Sequence, residues 1–155
     1  MLKVSFAEFI LRGIPETLVF FLAAYTFSKN IIQLKRYLLS SISYASLVYI
    51  IRTLPIQNGT VFILNLIGFI FILVGINKFD IIKSIKVSIC VLLIEFLCEG
   101  INILVIQLVL KEDINKIFKS PMLKILYSMP ALLLLGVVII LYYIKLKKRK
   151  ELKHI

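Results

Sequence analysis

The sequence predicts an all-α polytopic membrane bundle of about five transmembrane helices, N-terminus outside and C-terminus cytoplasmic. Three observations carry that expectation. Of 155 residues, 61% are hydrophobic and 17% charged, with a mean hydropathy of +1.02; a soluble domain is usually about 45–50% apolar and about 25% charged. Apolar stretches of roughly the 20 residues that cross a bilayer recur along the whole chain. Lys and Arg collect in alternate connections, a bias of the kind that orients membrane proteins. A water-soluble core of this size has no room for such an apolar excess. The composition therefore argues against a soluble enzyme, a nucleic-acid-binding domain and a disordered tail.

The first span is expected over 6–27, with Arg12, Gly13, Pro15 and Glu16 in its first half. Ala23-Ala24 offers small residues for signal cleavage, but charges inside the segment favour a retained helix. The second is expected over 37–54, stopped by Pro55 and Asn58-Gly59. The third, fourth and fifth are expected over 60–76, 87–110 and 123–144, the last with Pro130 able to kink it. Residues 1–144 thus read as a single helical domain and 145–155 as a basic cytoplasmic tail. The connection over 111–121 carries Ile114, Ile117 and Phe118 between lysines, a pattern that suits a short interfacial helix as well as a solvated loop.

The chain has Lys+Arg 19 against Asp+Glu 8, a formal charge of +11. One side of the expected bundle holds Lys29, Lys35, Arg36, Lys78, Lys83, Lys86 and the tail residues Lys145, Lys147, Lys148, Arg149, Lys150 and Lys153. The other holds only Lys3, Arg52, Lys111, Lys116, Lys119 and Lys124. The richer side is assigned to the cytoplasm, where the tail faces anionic lipid rather than nucleic acid. Localisation in a bacterial plasma membrane follows as the expectation.

Ionisable residues inside spans are costly and face a bundle interior or a cavity. Arg12 and Glu16 on the first helix, Arg52 at the end of the second, and Glu99 and Asn102 on the fourth fall at similar depth in the outer half, with Glu95 four residues before Glu99 on the same stripe. Asn65 is the polar residue of the third helix. Three readings follow: a polar pocket for a small ligand or peptide, buried ion pairs that only fix helix packing, or a proton or ion path. Ser40, Ser41, Ser43, Ala45 and Ser46 give the second helix a small-residue face for close packing. Tyr142-Tyr143 reads as an interfacial belt. Cys90 and Cys98, without a Cys-x-x-Cys spacing, read as small packing residues. His154 is the only histidine, so no metal site and no Cys-His or Ser-His pair is expected. No Gly-rich phosphate loop is present either. No catalytic residue and no cofactor are expected.

The strings Leu11-Arg12-Gly13-Ile14-Pro15-Glu16, Ile51-Arg52-Thr53-Leu54-Pro55-Ile56 with Gly59, and Glu95-x-x-x-Glu99-x-x-Asn102 together resemble a known class. That class is the membrane-embedded sensor region of histidine kinases from clostridia and related Firmicutes, similar to the receptors of accessory-gene-regulator systems. The resemblance implies a sensor of an extracellular signal whose last helix leads into a cytoplasmic kinase. The sequence to Ile155 carries no phosphoacceptor helix and no ATP-binding domain, and it lacks the His and Cys pair of quorum-peptide peptidases. The expectation is a non-enzymatic, sensor-like module whose partners are the bilayer, a kinase or another membrane or cytoplasmic protein, or a second copy of itself in a homodimer. The alternative expectation is a small transporter, or the membrane subunit of one, using Glu16, Glu95 and Glu99.

Overall fold

The computed structural model describes residues 6–111, 114–119 and 121–152. Among them the chain is helical, with no β-sheet. A short helix α1 (Phe6–Glu8) runs through a π turn (Phe9–Gly13) into α2 (Ile14–Phe27). Then follow α3 (Leu34–Thr53), α4 (Asn58–Gly75), α5 (Ile81–Val105) with a second π turn (Ile106–Leu110), α6 (Ile114–Lys119) and α7 (Pro121–Lys148). Pro15 does not break the first helix, because it falls in the first turn of α2, where its missing N–H has no intrahelical acceptor to lose.

Five helices close a ring: α2 packs on α3, α3 on α4, α4 on α5, α5 on α7 and α7 on α2, with α2 and α5 also touching across it. The start of α2 meets the end of α5 through Arg12 and Glu99, while Tyr25, near the end of α2, bonds Asn77 just before α5. Those two helices are antiparallel. By contrast α7 runs parallel to α2: Gly136 sits against Val19, Tyr142 against Phe27 and Glu151 against Lys29. The ring therefore has a cavity end, where α2 starts and α5 finishes, and a tail end, where α2 and α7 both finish.

Three segments, Phe9–Phe27, Ile81–Val109 and Ile125–Lys148, are long and apolar enough to cross a membrane. Gly59–Gly75 is apolar but shorter. The helix α3 has the length but carries Lys35, Arg36, Arg52 and four serines. Several helices outrun the apolar windows of the sequence. Lys83 and Lys86 lie within α5, and Lys145, Lys147 and Lys148 within α7 rather than in a separate tail. Long cationic side chains let a helix continue past the apolar layer because their stems stay apolar while their heads reach out.

The outward faces are apolar and the inward faces small or polar. On α5, Ser84 and Ser88 are fully buried while Ile82, Leu93 and Phe96 stand exposed. Ser40, Ser41 and Ala45 of α3 are buried, whereas Ser46 is exposed. Gly68 of α4 lies so close to α3 that a Cβ there would come within 2.8 Å of Leu47 Cδ2. An aromatic layer of Phe21, Tyr44 and Phe69, with ring centroids 4.9–5.9 Å apart, fills the middle of the ring. Cys98 is half-buried, but Cys90 points outward and does not serve as a packing residue; both thiols are free. The segment 114–119 is helical, while the side chains of Ile114, Ile117 and Phe118 lie outside the described residues.

Candidate binding cavity

At the cavity end, the π turn and the first turn of α2 carry a cation and an anion four residues apart, and α5 brings two carboxyl groups against them. Arg12 Nη2 donates to Glu99 Oε1 at 2.8 Å, and Arg12 Nε stands 3.7 Å from Glu16 Oε2. From the end of α3, Arg52 Nη2 lies 4.0 Å from the other oxygen of Glu16. Glu16 thus sits between two guanidinium groups. Glu95 makes no ion pair among the described residues; its carboxyl faces that of Glu16.

These groups border a partly enclosed cavity of about 180 Å³ between α2, α3, α4 and α5. Arg12, Glu16, Arg52, Glu95 and Glu99 all line it, together with Asn65 and the aromatic rings of Phe9, Phe20, Tyr44, Tyr49, Phe62 and Phe96. The Tyr44 hydroxyl donates to the backbone carbonyl of Asn65 at 3.4 Å, while Asn65 Oδ1, buried, has no hydrogen-bond partner among the described residues. On the far side of the ionic cluster a much smaller void, about 20 Å³, opens toward Ala131, Leu132 and Leu135 of α7. The charged side chains therefore form a partition between the two spaces.

Of the six candidates read from the intramembrane polar residues, five come together here. Asn102 does not: its Nδ2 donates to the carbonyl of Tyr127 at 2.7 Å, tying α5 to α7 one turn beyond the cavity. The basic residues Lys145, Lys147, Lys148, Arg149 and Lys150 are exposed at the opposite, tail end. There Lys29 Nζ meets Glu151 at 3.2 Å, and the N–H of Ile32 donates to the Tyr143 hydroxyl at 3.4 Å, so Tyr143 joins a loop rather than standing free.

Two features were missed in the sequence. The aromatic lining comes from four different helices, and no local pattern links those rings. The second feature is a polar continuation on α5: at 100° per residue, Ser84, Ser88, Glu95, Glu99 and Asn102 fall within about 60° of one face. That stripe was legible by extending the Glu95/Glu99 spacing backwards. Below the aromatic layer it meets a second buried polar group, where the Tyr25 hydroxyl donates to Asn77 Oδ1. Asn77 Nδ2, Ser84 Oγ and Ser88 Oγ are buried there without partners among the described residues. Among the described residues no group of His, Cys, Asp and Glu has metal-binding geometry.

Comparisons with protein-family models, with curated proteins and with solved structures give no match.

Proposed function

We propose that the chain is a five-span protein of the bacterial plasma membrane that binds a small ligand, or the end of a peptide, at the cavity end and acts through a partner protein. One observation carries the binding reading: a cavity inside a helix ring that gathers five charged side chains from three helices. Charges fixing helix packing need only meet each other. Here they also border open space, and Asn65, which lines it, carries a buried acceptor without a partner among the described residues. Pockets that take up a drug-sized ligand measure about 300–1,000 Å³, so 180 Å³ suits a small molecule or one terminal group. The orientation, with the cavity end outside, is supported by the Lys and Arg surplus at the tail end. The expectation of a partner such as a kinase rests on the resemblance of the Arg12–Glu16, Arg52–Pro55 and Glu95–Asn102 strings to sensor regions. The proposed role is non-enzymatic.

The test is binding and flux measured together on the purified chain, in nanodiscs and in proteoliposomes. Saturable ligand binding without transport is expected. A second reading, a small transporter or transporter subunit, draws on one specific observation: the polar stripe of α5 continues below the cavity to the unpartnered Ser88, Ser84 and Asn77. Proton-linked uptake or efflux that Glu16→Gln abolishes would favour it over the sensor reading.

A further inference from the structure

We infer that the cavity selects a small organic cation, an ammonium group that docks on Glu95 and Asn65 within the ring of aromatic side chains. The inference rests on the binding reading above and names its ligand class. Three carboxyl groups and two guanidinium groups line the space, so one carboxyl has no guanidinium of its own. Both cations are committed, Arg12 to Glu99 and Glu16, Arg52 to Glu16. That carboxyl is Glu95, which hydrogen-bonds the Glu16 carboxyl and pairs with no cation among the described residues, so an ammonium group can take the place of the proton the two share.

A second observation points the same way and is independent of charge. Asn65 lines the same cavity from α4, and its buried Oδ1 has no donor among the described residues. A buried unpaired acceptor is destabilising, and an ammonium group supplies three N–H donors. Aromatic rings complete the match, because Tyr44, Tyr49 and their Phe neighbours offer negative π-faces to a cation desolvated among them. An anionic ligand would find both guanidinium groups already facing carboxylates and would leave Asn65 unanswered. A free amine, the α-amine of a peptide and the amine of a lipid headgroup share this chemistry.

The experiment uses the full chain in phosphatidylglycerol nanodiscs, which contain no amine. Saturable binding is measured by calorimetry and by the shift in unfolding temperature. The probes are ethylammonium, alanyl-alanine amide, short-chain phosphatidylethanolamine and, as anionic and neutral controls, acetate and propanol. At least one amine is expected to bind at least about tenfold more tightly than acetate, a gap of about 1.4 kcal/mol, and which amine does so identifies the source. Glu95→Gln should weaken that amine at least about tenfold. Asn65→Leu, which leaves every charge in place, should weaken it by a smaller factor and covers the case in which the Glu95 variant does not fold. Amine binding unchanged in both variants overturns the inference. Acetate binding that Arg52→Gln abolishes overturns the cationic assignment but leaves the binding cavity standing. Absence of saturable binding by every probe overturns both.

Discussion

Arg12 holds two carboxylates at once, Glu99 at 2.8 Å and Glu16 at 3.7 Å, and among the described residues Arg52 pairs only with Glu16, at 4.0 Å. Removing one partner of a buried pair strands the other, and the loss exceeds the pair's own net contribution. Arg12→Gln and Glu99→Gln should each lower unfolding stability by about 1–3 kcal/mol, short of the about 3–5 kcal/mol of a fully buried pair, because the Glu99 side chain is 46% exposed. The double variant should recover part of that loss, whereas the Arg52 and Glu99 changes should add. Chemical or thermal unfolding in detergent reads both cycles; additivity in the first would remove the coupling. At the other end of α2, the Tyr25 hydroxyl and Asn77 Oδ1 are fully buried partners. Tyr25→Phe leaves that oxygen without a donor and should cost about 1–3 kcal/mol in the same assay. Arg12, Glu16, Arg52, Glu95 and Glu99 were legible in the sequence because a charge inside an apolar run stands out at any register. Tyr25 and Asn77 were not, since a tyrosine in an apolar helix and an asparagine in a turn are ordinary until the fold places them together.

The helices differ in how they are held. Gly68 lets α4 approach α3, and the atoms that a new Cβ would strike belong to the flexible end of Leu47. Gly68→Ala should therefore cost only about 1 kcal/mol, while Gly68→Val, with two further methyl groups, should cost about 1–3 kcal/mol through overpacking. Helix ends show a different device. Lys29, Lys78, Lys111 and Lys150 all take the left-handed conformation, with φ between 52° and 57°. At two of these ends the pairing is that of a Schellman turn: Asn30 N–H to Tyr25 and Lys29 N–H to Thr26, then Glu151 N–H to Leu146 and Lys150 N–H to Lys147. Glycine takes that conformation without strain, while a side chain costs about 1–2 kcal/mol. Lys78→Gly should raise stability by about 0.5 kcal/mol once the looser unfolded chain is counted, and the β-branched Lys78→Val should lower it. Their melting temperatures check this. Pattern reading looks for Gly or Asn at such stops, so the lysines gave no signal of how these helices end. Their existence was nonetheless legible from the apolar windows on either side.

At the level of the whole molecule, topology is the accessible test. In a background with Cys90 and Cys98 replaced by alanine, a cysteine at Lys150 should resist a membrane-impermeant thiol reagent in intact cells. A cysteine at Lys119 should react. The reverse pattern would invert the proposed orientation. All-helical class and apolar helices of membrane-spanning length could be read from composition and run length, which report the solvent. Which helix touches which could not, because lipid-facing and interior positions are both apolar and periodicity separates them poorly. Charge depth supplied a partial substitute: it brought the beginning of the first span and the end of the fourth to one level.

A ring with five members cannot alternate direction all the way round; one neighbouring pair has to point the same way, and here it is α2 and α7. Their peptide dipoles add instead of cancelling, so two carbonyl-bearing ends, each equivalent to roughly half a negative charge, stand side by side at the tail end. Lys29 and the cluster from Lys145 to Lys150 occupy that spot. The odd parity of the ring thus gives those cations an internal reason to be there, distinct from any attraction to lipid. Removing them should loosen α7 from α2 even in uncharged detergent.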